Sequence, residues 1–301
     1  MTSALVIGRR RPGRPISEAV QDTASQLEGA GWTVESAVVD RKGQLRRRAL
    51  RAVKAEFDVV VAVGGDGAVL QVVQALAETP VALGIVPLGT GNLLAGNLGI
   101  PHKLDDAVAI LLAGKRRQID LGRVAIGGGH KFFSVACGIG FDAEVMKATK
   151  PSQKRRWGKL AYVASAVTQS HRVRNVSHGL TIDGVTSVLE ATQLFVANMG
   201  RMGLGVRPRL DIEPDDGLLD VIAIEASGRF PALLAGWEAL RQDDEGESPG
   251  GRAFRASAKK VRIETDPSRL VEIDGSVVGS TPIKIAIRPA ALTVMVPEPA
   301  P

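Results

Sequence analysis

The run Asp58-Val-Val-Val-Ala-Val63, followed at once by Gly64-Gly65-Asp66-Gly67, constrains the fold more than any other stretch of the chain. A strand with no polar alternation is buried on both faces, and that is a property of parallel sheets covered by helices on each side. Its surroundings repeat the theme. Residues 4–7 read as a short apolar strand, and 33–39 and 81–86 as further strands. Between them, 16–29 spaces Ile16, Val20, Ala24 and Leu27 at helical intervals, 45–55 reads as a basic helix, and 69–77 and 104–113 as two more helices. Strand and helix in alternation predict a doubly wound α/β domain over residues 1–122.

From about Gly122 the texture changes. Short β-like runs at 124–126, 131–136, 179–182, 190–197, 219–225, 260–264, 270–273 and 284–288 are separated by Gly, Asp or Ser turns. They predict a β-rich second domain over 123–301, interrupted by helices at 156–171 and 230–240, with a last strand able to return to the first domain. The acidic, Gly-rich stretch 243–252 reads as a mobile loop and the final Pro-rich residues as a frayed end.

Composition narrows the function classes. A single cysteine, Cys137, excludes a disulfide framework and a multi-cysteine zinc site, and reads as a small buried hydrophobe. No apolar run approaches the ~20 residues of a membrane span, and the N-terminus lacks a signal-peptide core, so a cytoplasmic location is expected. The net charge of +6 is bunched at 9–14, 41–51, 115–117 and 147–159, which suits an anionic membrane surface or polyphosphate ligands. Almost no aromatic residue interleaves these runs, and no helix-turn-helix or zinc-finger spacing occurs, so nucleic acid is not expected as a partner. His102, His130, His171 and His178 share no ligand spacing and receive no role.

Two loops carry the chemistry. Gly64, Gly65 and Gly67 let the backbone turn and approach an anion at a helix N-terminus, and Asp66 is the one side chain there able to do acid–base or metal work. The loop Pro87-Leu88-Gly89-Thr90-Gly91-Asn92 also follows an apolar strand. Thr90 can bond a phosphate, and Asn92 can fix the loop or meet a base. Both loops should open on the carboxyl edge of the sheet, where nucleotides sit in open α/β folds. Neither is a Walker loop or a dinucleotide fingerprint.

In order along the chain, Gly64-Gly-Asp-Gly-Ala68, Pro87-Leu-Gly-Thr-Gly-Asn92, Cys137-Gly-Ile-Gly-Phe-Asp-Ala143, Lys154-Arg-Arg-Trp-Gly-Lys-Leu-Ala-Tyr162, Asp215-Asp-Gly-Leu-Leu-Asp-Val221 and Val271-Glu-Ile-Asp-Gly275 are similar to segments of the diacylglycerol kinase catalytic domain family. That family includes bacterial lipid kinases and sphingosine and ceramide kinases, and it shares its fold with NAD kinases. The resemblance implies an NAD-kinase-like α/β domain joined to a β-sandwich, and ATP- and Mg²⁺-dependent phosphorylation of a hydroxyl on a diacylglycerol-like lipid. It implies nucleotide contacts from Gly8, Arg9, Gly64, Gly65, Asp66, Gly67, Ala68, Val69, Leu70, Gly89, Thr90 and Asn92. It further implies catalytic carboxylates at Asp66 and Asp274, and a Mg²⁺ site from Asp216 with carbonyls at Glu213 and Leu218. The implied partner is a lipid at the anionic inner membrane face, and a homodimer is left open.

The chain departs from the family pattern at Ala68 (Thr), Leu70-Gln71 (Asn-Glu), Leu93 (Asp) and Ser276, where bacterial enzymes carry the Glu assigned as proton acceptor. Gly8-Arg9-Arg10-Arg11-Pro12-Gly13 replaces the family's Asn-Pro-x-x-Gly phosphate turn. These departures motivate an alternative, a catalytically weak member that binds nucleotide or lipid in a regulatory role.

Overall fold

The structure, a computed structural model, describes residues 1–41, 43–140, 175–201, 212–226 and 251–298. The helices expected at 156–171 and 230–240, the basic stretch 154–162, Phe141 to Ala143 and residues 243–250 of the loop expected at 243–252 lie outside the described residues. The chain divides into two compact units, Met1–Leu121 with Pro289–Pro301, and Gly122–Arg288.

In the first unit β1 (Ser3–Arg9), α1 (Ile16–Gly29), β2 (Thr33–Val39), α2 (Gln44–Lys54), β3 (Val59–Gly64), α3 (Asp66–Leu76), β4 (Ala82–Pro87), α4 (Leu93–Asn97) and α5 (Leu104–Ala113) follow in series. The sheet order is β2-β1-β3-β4, all parallel. Every residue of β3 and β4 is buried, as an unbroken apolar strand in a doubly covered sheet requires. Helix α1 packs with α5 and α2 with α3. The helices bury one face each. In α2 that face is Leu45, Ala49 and Ala52, while Arg46, Arg47 and Arg48 stay in solvent. Helix α3 begins at Asp66, three residues before the apolar spacing suggested, because glycine rather than a hydrophobic residue opens it.

Strand β5 (Arg116–Ile126) leaves the first unit and enters the second, and β16 (Ile283–Met295) makes the return journey. The end of β16 adds to the first sheet in parallel, Val294 opposite Leu83. Between them the second unit is built of antiparallel strands in two sheets. The first holds β16, β13 (Lys260–Thr265), β8 (Val176–Ile182) and β9 (Val185–Ala191), with β5 pairing on β16 and its hairpin partner β6 (Gly129–Phe133) on β5. The second runs β12-β11-β10-β7-β14-β15: Gly251–Ala258, Leu219–Ala226, Gln193–Ala197, Ala136–Gly140, Leu270–Ile273 and Ser276–Ser280. Gly251 and Arg252 therefore open a strand rather than close a mobile loop. The two sheets form a β-sandwich whose core includes Leu180, Ile263, Ile285, Ile139, Leu194 and Val221.

Candidate phosphate-binding site

In the first unit, the sheet order reverses between β1 and β3, and the carboxyl ends of β1, β3 and β4 lie side by side, Gly8 opposite Val63 and Gly64 opposite Pro87. This is the switch point at which open α/β sheets bind ligands. It gathers Gly8 and Arg9, the Gly64–Gly67 turn and the Gly89–Asn92 loop on one edge.

The two loops are locked to each other through backbone. A Cβ on Gly65 would stand 2.8 Å from the Cα of Gly89, and one on Gly89 would meet the Cα of Gly65 and Oδ1 of Asn92 at 2.5 Å. No side chain fits between them, so glycine is needed at both positions. Asp66, at the start of α3, reaches across to the second loop. Its Oδ2 accepts from the Asn92 N–H at 3.0 Å and its Oδ1 from the Leu93 N–H at 2.5 Å. Asp66 thus caps the short helix α4 rather than its own helix, whose N-cap is Gly65.

Asn92 holds the loop from inside. Its Oδ1 accepts from the Gly89 N–H at 2.8 Å and its Nδ2 donates to the Gly89 carbonyl at 3.1 Å. Those two bonds orient the amide, so the second Nδ2 hydrogen is donated to Nδ1 of His102, 3.0 Å away. Of the two roles open to Asn92, fixing the loop is the one its contacts describe, and the side chain is buried. His102 supports it, a role its sequence position did not suggest.

Arginines stand over this edge. Arg14 Nη2 donates to Oγ1 of Thr90 at 3.3 Å. Nη2 of Arg11 is 3.8 Å from where a Cβ on Gly67 would lie. The Arg11 guanidinium is pushed below its ordinary pKa, first by loss of surrounding water and then by the charges of Arg9 and Arg14, while Asp66 pulls it back up. Three arginines crowding one edge at that electrostatic cost make a place for an anion. Arg10 points elsewhere, pairing with Asp40 in solvent at 3.4 Å. Arg11 and Arg14 were legible only as members of a basic run, since nothing in their spacing distinguishes them from Arg10.

Ala68, Val69 and Leu70 stand in the first turn that follows Gly65. The amides of Ala68 and Val69 already donate to the Gly65 carbonyl, at 2.8 and 3.2 Å, and all three side chains are buried. They form the first turn of α3, whose dipole favours an anion at its start.

The other expected residues belong to the second unit. Asp274, at the β14–β15 turn with φ 42°, is buried. Its Oδ2 accepts from the Ser134 N–H and Oγ–H, both at 2.8 Å, and its Oδ1 from the amides of Val135 at 2.9 Å and Ala136 at 3.0 Å. All four lone-pair directions of the carboxylate are engaged, so its work is to clamp the 134–136 segment to the turn. Burial pushes its pKa up, against the pull of those four bonds. Ser276 follows as the first residue of β15. Cys137 is fully buried, its thiol pushed well up by burial and the nearby Glu272 and Asp274 charges.

Asp216 is exposed, its Oδ1 accepting from the Leu218 N–H at 2.9 Å, with Gly217 between them at φ 76°. Among the described residues no three His, Cys, Asp or Glu side chains stand together as a metal cage. The expected donors, the Asp216 carboxylate with the carbonyls of Glu213 and Leu218, are nonetheless of the kind Mg²⁺ takes, oxygen ligands with water completing the shell.

Residues 4–124 match the diacylglycerol kinase catalytic domain model, and 135–296 match the YegS C-terminal NAD kinase β-sandwich-like domain model. A diacylglycerol kinase of Mycobacterium tuberculosis (strain ATCC 25618 / H37Rv) is 31% identical over 296 residues, covering 93% of this chain and 90% of the relative. A Pseudomonas putida protein named "Probable lipid kinase YegS-like" is 29% identical over 288 residues, covering 95% and 93%. A solved structure described as a diacylglycerol kinase from Bacillus anthracis strain Sterne superposes with a TM-score of 0.73 at 19% identity, over 99% of this chain and 97% of its own. At that identity the superposition bears on the fold alone.

Proposed function

The chain belongs to the diacylglycerol kinase catalytic domain family, and from that premise we propose that it transfers the γ-phosphoryl group of ATP to the hydroxyl of a diacylglycerol-like lipid. The observation that carries this reading is the convergence of two glycine loops and two arginines at the switch point of the first sheet. The lipid oxygen attacks phosphorus, the bond to the ADP oxygen breaks, and the hydroxyl proton leaves to a base or to the transferred phosphoryl group. Catalysis of this step is mostly positioning and charge neutralisation. The amides at the start of α3, with Arg11, Arg14 and Thr90, supply both. A bound Mg²⁺, held through Asp216 and the Glu213 and Leu218 carbonyls, would neutralise phosphate charge.

Asp66 keeps one lone-pair direction on each oxygen after its bonds to Asn92 and Leu93. The base or metal-linked role is therefore assigned to it, and Asp274 keeps the clamp. The acceptor is reached at an anionic membrane surface from the cytoplasmic side, by charge rather than by insertion. Among the described residues no helix is long and apolar enough to cross a membrane.

The test is transfer of label from γ-labelled ATP to diacylglycerol in mixed micelles, with Asp66→Asn alongside. Label in phosphatidic acid that falls at least about 100-fold in the variant supports the reading. Unchanged transfer in Asp66→Asn removes that residue from the chemistry. A second reading, a weakly catalytic nucleotide binder, is favoured by Ser276 and by the full engagement of Asp274. ATP binding without transfer to any lipid would select it.

A further inference from the structure

The outer face of the first sheet of the second unit carries an unusual charge pattern. In the antiparallel ladder of β13 and β16, Arg262 lies directly opposite Lys284. Like charges directly opposed across strands are destabilising, so the pair costs the fold something. Lys260 lies two residues along β13 on the same face, Arg288 lies four residues along β16, and Arg123 comes from the adjoining β5. These side chains, with His130, surround a trough of about 610 Å³. Between them the outward lining is small: Ala125, Gly128, Gly129 and Ala286.

Among the described residues that line the trough none is acidic. Two carboxylates lie beside it, and both are occupied. Glu264 accepts from Nε of Arg262 at 3.0 Å and from its Nη2. Asp183 accepts the backbone amides of Lys259 and Lys260. Among the described residues no carboxylate forms an ion pair with Lys260, Lys284 or Arg123. Neighbouring strands stand about 4.8 Å apart and alternate residues on one strand about 6.8 Å apart, so these cations are too spread for one phosphate to reach them all.

We propose that this trough is a second anion site, taking a ligand that carries two or more phosphate groups, presented by a soluble polyphosphate or by lipid headgroups. Such a ligand would relieve the Arg262–Lys284 repulsion with charge-assisted hydrogen bonds, the strong class of protein hydrogen bond. The site is built from the second unit alone and does not depend on the kinase reading.

The test titrates the full chain with sodium tripolyphosphate and, separately, co-sediments it with phosphatidylglycerol or phosphatidylcholine vesicles at low and high salt. The comparison is with a Lys260→Gln/Arg262→Gln/Lys284→Gln triple variant and with single Lys284→Glu. Binding of tripolyphosphate, of phosphatidylglycerol vesicles or of both should weaken roughly tenfold or more in the triple variant. The probe affected identifies the source, tripolyphosphate a soluble ligand and vesicles a headgroup. Lys284→Glu should also bind more weakly than the parent and yet melt at a higher temperature, because it places opposite charges across the ladder; a misfolded variant could not do that. Equal binding of both probes by parent and triple variant, or binding of neither by the parent, overturns the proposal.

Discussion

Asp66 and Asp274 are both carboxylates tied to backbone amides, yet they differ in what remains. Asp66 accepts two bonds and Asp274 four. Replacing Asp274 by Asn leaves one oxygen for four donors and turns an NH₂ towards hydrogen-bond donors, with buried groups left unpaired. Asp274→Asn should lower unfolding stability by about 3 kcal/mol in chemical denaturation, an effect no lipid assay is needed to see. At the phosphate edge, Arg11→Gln should leave the melting temperature unchanged or slightly higher, since it relieves crowding with Arg9 and Arg14, while weakening ATP roughly tenfold by titration. His178 gives a pH dependence. It is buried, its Nε2 bonded to the Ala191 carbonyl at 3.2 Å, and burial lowers its pKa, with Arg269 acting in the same direction and Glu190 against. The unfolded chain therefore takes up a proton near pH 6.5 that the folded one refuses until lower pH. Stability is complete above that value and should fall as pH drops below it, by up to about 1.4 kcal/mol per unit, and His178→Gln should flatten the slope between pH 7.5 and 5.5. The glycines and Asp66 were legible in the sequence because a sharp turn after a buried strand needs those residue types. The clamp at Asp274 was not, because its four donors sit about 140 residues upstream.

At the scale of elements, the strongest constraint is the joint between the Gly64–Gly67 turn and the Gly89–Asn92 loop. Neither loop is shaped by itself. The first supplies the carboxylate that caps α4, and the second supplies the backbone that presses on Gly65. Gly89→Ala would drive a methyl group into both Gly65 and Asn92, so the loops must part. The variant should lose ATP binding beyond detection by titration and lose about 2–3 kcal/mol of stability, whereas Gly13→Ala, at a glycine with open space around it but φ 72°, should leave ATP affinity nearly unchanged. Equal effects of the two would deny the joint any special place. The strands and helices of the first unit were readable to within a few residues, since period and turn chemistry agree there. Helix α4 was missed: five residues carry no period, and its start is fixed by Asp66 from another loop. In the second unit β15 and β9 were missed for a related reason. β9 is largely exposed, Val185 and Val188 among the most open hydrophobic side chains, and β15 has no buried residue, so burial leaves little pattern to read.

The whole chain is not a first domain followed by a second. The first unit is completed by residues from its far end, through a strand that begins in the other unit. A boundary at 122 is visible as a change in texture, and a returning last strand was expected, but the strand it pairs with depends on which edge of β4 is left open, and no local signal encodes that. Three observations bind the returning segment: Val294 pairs with Leu83 on β4, Glu78 N–H donates to the Ala291 carbonyl at 2.7 Å, and Val296 N–H donates to the Lys115 carbonyl at 3.1 Å. Leu292, Val294 and Met295 are 0–1% exposed. Burying side chains of this kind contributes about 1.5–3 kcal/mol each, so these three alone stand near the low end of a domain's total stability, about 5–15 kcal/mol. A chain ending at Arg288 would also leave the β4 edge unpaired, and an open apolar edge invites association. Such a chain should lose the melting transition of the first unit, become protease-sensitive within residues 1–121 and aggregate on concentration. Supplying residues 289–298 ahead of Met1 through a flexible linker should restore the transition in part, because the missing piece is a strand and not a connection. A truncated chain that melts with the full one would mean that the α/β unit is complete without its last strand.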